Sequence, residues 1–178
     1  MAVAKIPEPP TLEQVIENSP KPGLFVAIDG MSNADNMGTL VLNCTAFSVH
    51  ALLISRSSSS PFRRRSVRSS MGSIFEIPVL EELDLIASLG ELRRRNFRCI
   101  AAHPHATAKI LPEAEMKSDC CIVFGNEAHG ISTEVLAACD DAVAIPMPGT
   151  VDSLNVSSAG AVFLYEAWRQ RNAFCKTA

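Results

Sequence analysis

From residue 23 onward the chain alternates short apolar runs with longer amphipathic or polar stretches. The runs are LFVAI (24–28), ALLIS (51–55), EIPVL (76–80), FRCIAA (97–102), CCIVF (120–124) and AVAIPM (142–147). Most are apolar throughout and do not alternate in and out, the pattern of strands buried on both faces. Helical spacing between them predicts helices over 37–47, 83–96, 131–139 and 155–172, with a short helical piece around 67–71. Ser132 or Thr133 would cap the third of these, and the last would begin after Ser153. The polar cluster DGMSNADN (29–36) reads as a turn. Strand and helix in alternation predict an α/β fold with a mostly parallel sheet covered by helices on both faces. Residues 1–22 carry prolines at both ends and a short helix over 11–18. They read as an N-terminal leader to one domain spanning 23–178, with no internal repeat.

The 178 residues are 47% hydrophobic and 20% charged, enough apolar material for one well-buried core. No apolar run approaches the ~18–20 residues that span a bilayer, and the N-terminus lacks the apolar segment of a signal peptide. None of Cys44, Cys99, Cys120, Cys121, Cys139 and Cys175 stands in a CxxC or a metal-like cluster. Buried thiols in a reducing cytoplasm are the expectation, with neither metal nor membrane as partner. A net charge of −3 argues against general affinity for nucleic acid. The distribution of charge says more. Arg56, Arg63, Arg64, Arg65 and Arg68 fall in a serine-rich segment with no acidic residue, suited to contacts with RNA phosphates. Arg93, Arg94, Arg95 and Arg98 read instead as the solvated end of a helix, near its negative pole.

Common catalytic signatures are missing. GxGxxG and GxxxxGK[ST] are absent, as are GxSxG and HExxH, and the four histidines are scattered. What remains is a set of Asn, Glu, Ser and Gly residues at the carboxyl ends of the expected strands, where open α/β sheets bind ligands. Turns that free backbone amides there suit a nucleotide-like ligand.

Three blocks give this set a second meaning: NADNMGTLVLNCTAFSV (33–49), VFGNEAHGIS (123–132) and IPMPGTVDSLNVSSAGAVFLYE (145–166). They resemble the signature blocks of the SpoU (TrmH-like) branch of the SPOUT RNA methyltransferases, and RSSMGS (68–73) resembles a recurring R-x-S-x-G element of the same proteins. The resemblance covers about residues 24–172. It implies an α/β domain with a C-terminal deep trefoil knot, a homodimer, and S-adenosyl-L-methionine as cofactor. The implied reaction is methyl transfer to a ribose 2′-hydroxyl of tRNA or rRNA. Gly125, Ile145 and Leu154 match positions that hold the cofactor, and Met147 adds apolar wall. Asn36, Glu127, Ser153 and Asn155 match residues of the catalytic site. Each also has an ordinary structural use: Glu127 as an acid at a helix start, Asn36, Ser153 and Asn155 as turn residues or caps.

The pattern breaks at Leu42, where the first block of the family carries an arginine that assists deprotonation of the hydroxyl. Leucine has neither charge nor donor. Two readings follow. Either an arginine among Arg56, Arg63, Arg64, Arg65 and Arg68 serves instead, or the chain is a catalytically impaired RNA-binding or regulatory dimer of the same fold. Loss of one such group costs about 10²–10⁴ in rate, which leaves measurable activity.

Overall fold

The computed structural model describes residues 8–149 and 151–172. Six strands form one sheet: β1 (Leu24–Ile28), β2 (Ala51–Ser55), β3 (Val79–Leu83), β4 (Arg98–Ala102), β5 (Cys120–Phe124) and β6 (Asp141–Val143). Their order is β3-β2-β1-β5-β4-β6, and every pairing is parallel. The expected fold class is therefore observed. The helices are α1 (Leu12–Asn18), α2 (Ala34–Ala46), α3 (Arg64–Ser69), α4 (Leu85–Arg94), α5 (Thr133–Ala137) and α6 (Val156–Arg171).

Successive strand residues divide between two cores, as the pleat requires. Val26, Ile28, Leu52, Ile54, Ile122 and Phe124 pack under α2 and α6. Phe25, Ala27, Leu53, Cys121 and Val123 pack under α1, α4 and α5. The central strands β1, β2 and β5 are buried at every position, and the one polar residue among them, Ser55 at the end of β2, has its hydroxyl hydrogen-bonded by Gly30 N. Helix α1 starts with a reciprocal capping box between Thr11 and Gln14 and buries Val15 and Ile16 in the second core. Residues 1–7 of the leader and Cys175 lie outside the described residues.

Several boundaries differ from the expectation: α3 starts at Arg64 rather than near 67, α4 and α5 are shorter at both ends, and three further shifts have a local cause. Helix α2 begins three residues earlier, at Ala34, because the Asn33 side chain accepts from the N–H groups of Asp35 and Asn36. Its polar cap and first turn have the composition of a loop. The third strand lies at 79–83, not 76–80. A 3-10 turn occupies 73–75, and strand pairing begins after Pro78, which has no N–H for a ladder. The last strand ends at Val143, not 147, because Pro146 and Pro148 cannot donate to a neighbour.

The sheet changes direction of growth between β1 and β5. Chain growth runs outward from β1 through β2 and β3 on one side. On the other lie β5, β4 and β6. The general rule for open parallel sheets places a ligand in the crevice beyond the carboxyl ends of β1 and β5; the cavity of this chain lies beside it, at the ends of β4, β5 and β6.

Candidate functional site

A cavity of about 410 Å³ opens at the carboxyl ends of β4, β5 and β6. The loop after β5 forms one wall. Gly125 starts that loop, and a Cβ there would lie 2.2 Å from the carbonyl carbon of Gly130 and 2.3 Å from Ile131 N, so no larger residue fits. Asn126 holds the loop closed on itself. Its backbone exchanges hydrogen bonds with Gly130, and its Oδ1 accepts from the N–H groups of Ala128 and His129. Its Nδ2 donates to Gly30 O after β1, at 2.7 Å, which bridges the crevice. Below it, the buried Asp29 accepts from Ser132 N and Oγ at 2.8 and 2.7 Å. That use of the Ser132 hydroxyl explains why it makes no side-chain cap on α5.

Glu127 reaches from this loop to the start of α2. Its carboxylate accepts from Ser32 N and Oγ (both 3.2 Å), Asn33 N (3.0 Å) and Asn36 Nδ2 (3.1 Å). Partial burial pushes its carboxyl upward. Its own backbone N–H, the Asn36 amide and the N–H groups of Ser32 and Asn33 outweigh that, so its pKa is lowered. Asn36 Oδ1 in turn accepts from Asn155 Nδ2 at 3.0 Å. Asn155 is the N-cap of α6, its Oδ1 accepting from Ser157 N and Oγ. Asn43, further along α2, donates to Ser157 O at 2.9 Å. One polar chain therefore joins the β5 loop, the first turn of α2 and the cap of α6, elements up to 119 residues apart.

The other expected residues fall around the same cavity. Ile145, Met147, Ser153 and Leu154 line it, together with Gly125, Glu127 and Asn155. Asn36 stands behind Glu127 and Asn155 at the rim, through the bonds just described. Helix α6 starts at Val156, with Asn155 as its cap, so Ser153 belongs to the loop rather than to a helix end. Leu42 is half-buried on α2.

The two arginine groups are arranged differently. Arg63, Arg64, Arg65 and Arg68 are exposed on or next to α3, and Arg56 is exposed after β2. Arg65 grips Asp35 through Nε at 2.7 Å and through Nη2, which lowers the Asp35 pKa and raises its own. Arg64, Arg65 and Arg68 line a surface groove with Asp35 and Ser69, next to Asn36 in sequence. Arg93, Arg94, Arg95 and Arg98 each meet a carboxylate.

Sequence reasoning missed Ser32 and Asn33, whose donors fix Glu127, and Asn126, which shapes the loop. It also missed His103, Pro104 and His105 on the cavity wall. Their place directly after β4 was a usable signal, since strand carboxyl ends build such sites. Nothing in local sequence marks Ser32 as a partner of a residue 95 positions away. Among the described residues no cluster of His, Cys, Asp and Glu could hold a metal ion, and no helix is long and apolar enough to cross a membrane.

Known proteins resemble this chain in sequence and in fold. Along 94% of its length the chain is 32% identical to an uncharacterized tRNA/rRNA methyltransferase of Mycobacterium tuberculosis, of which it covers 58%. It is 29% identical, over 91% of its length and 65% of the relative, to the 23S rRNA (guanosine-2′-O-)-methyltransferase RlmB of Vibrio vulnificus. The crystal structure of the SpoU methyltransferase AviRb from Streptomyces viridochromogenes with its cofactor AdoMet superposes with a TM-score of 0.83. That match has 26% identity and covers 93% of this chain and 66% of that one. The chain thus spans about six-tenths of the length of these proteins. The family model described as the SpoU rRNA Methylase family matches residues 23–165, which hold the cavity and most of the polar chain's supporting elements. By this match and by its fold, the chain belongs to the SpoU methylase family of RNA methyltransferases.

Proposed function

We propose that this chain binds S-adenosyl-L-methionine in the cavity at the ends of β4, β5 and β6. It would transfer the methyl group to a ribose 2′-hydroxyl of tRNA or rRNA. One observation carries this reading: blocks 33–49, 123–132 and 145–166 converge on the chain Glu127–Asn36–Asn155 at the rim of a glycine-built cavity.

The residues present fit the cofactor. The cavity volume lies within the ~300–1,000 Å³ of small-molecule sites. Backbone groups of the Gly125 loop offer donors and acceptors for the edges of a purine, and Ile145, Met147 and Leu154 offer apolar walls for its faces. When bound, the cofactor supplies an electrophilic methyl group on a sulfonium, leaving the protein to position the ribose oxygen and aid loss of its proton. Glu127, held ionised by its donors, acts as a positioning residue that orients Asn36. Asn155 completes the clamp on Asn36 while capping α6. Ser153, on the cavity wall, is left to meet the substrate or the methionine part of the cofactor.

Leu42 supplies no proton acceptor and no charge on α2. Help with the hydroxyl proton then falls to an arginine of the 56–68 segment. The alternative, a catalytically impaired RNA-binding or regulatory dimer, rests on that same Leu42. Helix α6 supports the dimer in either reading. Phe163 and Leu164 are buried in the chain's own core, while Val162, Tyr165 and Trp168 stay 39, 51 and 42% exposed. The deep trefoil knot follows from the family reading and would involve the C-terminal segment that ends in α6. The described cysteines, all free thiols, are in keeping with a cytoplasmic setting.

Calorimetric titration with S-adenosyl-L-methionine and S-adenosylhomocysteine tests the reading. Micromolar binding is expected, followed by transfer to unmodified tRNA or rRNA that leaves the modified position resistant to alkaline cleavage. Absence of binding by the folded protein would overturn it. Binding without transfer to any RNA would favour the impaired-dimer alternative.

A further inference from the structure

Beyond the arginine groove the surface turns apolar without a structural reason. Met71, the second residue after α3, is 82% exposed, and Phe75 is 52% exposed. Met71 also holds a left-handed backbone, with φ of 54°, a conformation that costs a non-glycine residue energy. The Phe75 ring is tied to the arginine segment through Phe62, the residue preceding Arg63, with ring centroids 6.3 Å apart. Arg64 and Arg68, four residues apart on α3, share one side of that helix. Residues 56–75 hold five arginines and no acid, and Asp35, the one carboxylate in the groove, is already committed to Arg65. The surface thus runs from the start of α2 past Arg65, Arg64 and Arg68 to an exposed methionine and an exposed aromatic ring.

Charge for phosphates next to bare apolar faces is how proteins hold unpaired nucleotides, whose bases are free to stack. A paired helix presents phosphates but no open base faces, so it has no use for Phe75. We propose that Met71 and Phe75 form a platform on which an unpaired base of the RNA stacks. Arg64 and Arg68 hold the phosphates beside it, so the substrate enters as a loop or single strand. The proposal rests on the RNA methyltransferase reading and names the form of RNA it takes.

Fluorescence anisotropy with the full chain tests it, using a labelled hairpin that carries an unpaired loop and a fully paired duplex of the same length. The hairpin is expected to bind more tightly. Phe75→Ala should weaken hairpin binding about tenfold, the effect of losing one base–aromatic stack, and leave duplex binding and the salt slope unchanged. Phe75→Trp should retain hairpin binding. Arg64→Ala with Arg68→Ala should weaken both RNAs and lower the salt slope by about two. Because Phe75 is half exposed, circular dichroism of the alanine variant should match the parent. Unchanged hairpin affinity in Phe75→Ala overturns the platform. So does an equal loss on the duplex, or a Trp variant no better than Ala. If the parent chain binds neither RNA, the platform is overturned too, and the cofactor titration separately decides whether the methyltransferase reading falls with it.

Discussion

Two arginine clusters of similar composition meet opposite fates in this fold. At the end of α4, Arg93 pairs with Asp140 at 2.8 Å, Arg94 with Glu91, Arg95 with both Glu91 and Glu13, and Arg98 with Asp141. On the α3 side, Arg65 pairs with Asp35, while Arg63, Arg64 and Arg68 stand exposed without an ion pair among the described residues. Positive charge by itself therefore identifies no surface. What distinguishes the clusters is where the acids are spent. Glu127, the acid of the cavity, is turned toward amides and a hydroxyl, and Asp35 toward one guanidinium, so the α3 side keeps a field that the α4 side has cancelled.

The largest expected effect tests this contrast directly. Arg63→Ala, Arg64→Ala and Arg65→Ala combined should raise the Kd for RNA on the order of 100-fold at low salt and flatten the salt slope by about two, since Arg65 is held by Asp35. Filter binding across a salt series measures both, and an unchanged slope would remove α3 from RNA contact. Next comes the acid that does not face arginine. Glu127→Gln keeps the size but weakens acceptance from Ser32, Asn33 and Asn36. Methyl transfer should fall by about 10- to 100-fold with RNA affinity intact, as expected when a group that fixes active-site geometry is lost. A parallel loss of RNA affinity would mean that Glu127 supports the binding surface instead.

The same variant carries a pH signature. The Glu127 pKa is lowered from its ordinary 4.5, so the folded chain keeps this carboxylate ionised where the unfolded chain binds a proton. Its contribution is fully present above about pH 4.5 and fades as pH falls through the folded value. Thermal melts of parent and Glu127→Gln should differ by a constant amount above that pH and converge below it. Divergence on acidification would contradict the hydrogen-bond assignment.

Smaller effects sharpen the comparison from each side. Asp35→Asn should release Arg65 and tighten RNA binding about two- to fivefold with a slightly steeper salt slope, reversing the direction of the first variant. Arg98→Ala should leave RNA affinity and slope alone and cost at most about 1 kcal/mol of stability in denaturant unfolding, as for a partly exposed pair. A change of slope there would erase the distinction between the clusters.

Much of the fold is legible in the amino-acid sequence. Unbroken apolar runs at 24–28, 51–55 and 120–124 announce central strands buried on both faces, and all three hold to the residue. The polar and proline-bearing borders are less legible. Asn33 hides a helix start inside an apparent turn, Pro78 displaces an edge strand, and Pro146 cuts the last one short. Local composition is ambiguous there, because Asn and Asp serve caps and loops alike.

The sequence by itself determined the layers, the parallel sheet and the residue types near the cavity. Burial of apolar runs and the φ limits of glycine and proline act over a few neighbours, so they leave local marks. Only the tertiary structure decided which polar groups meet: Glu127 with Ser32 and Asn33, Asn36 with Asn155, Asn126 with Gly30. It also decided which arginine cluster is neutralised by carboxylates and which keeps its field. Hydrogen bonds and ion pairs depend on close spacing between groups that are here up to 119 residues apart, and that spacing exists only once both cores have packed.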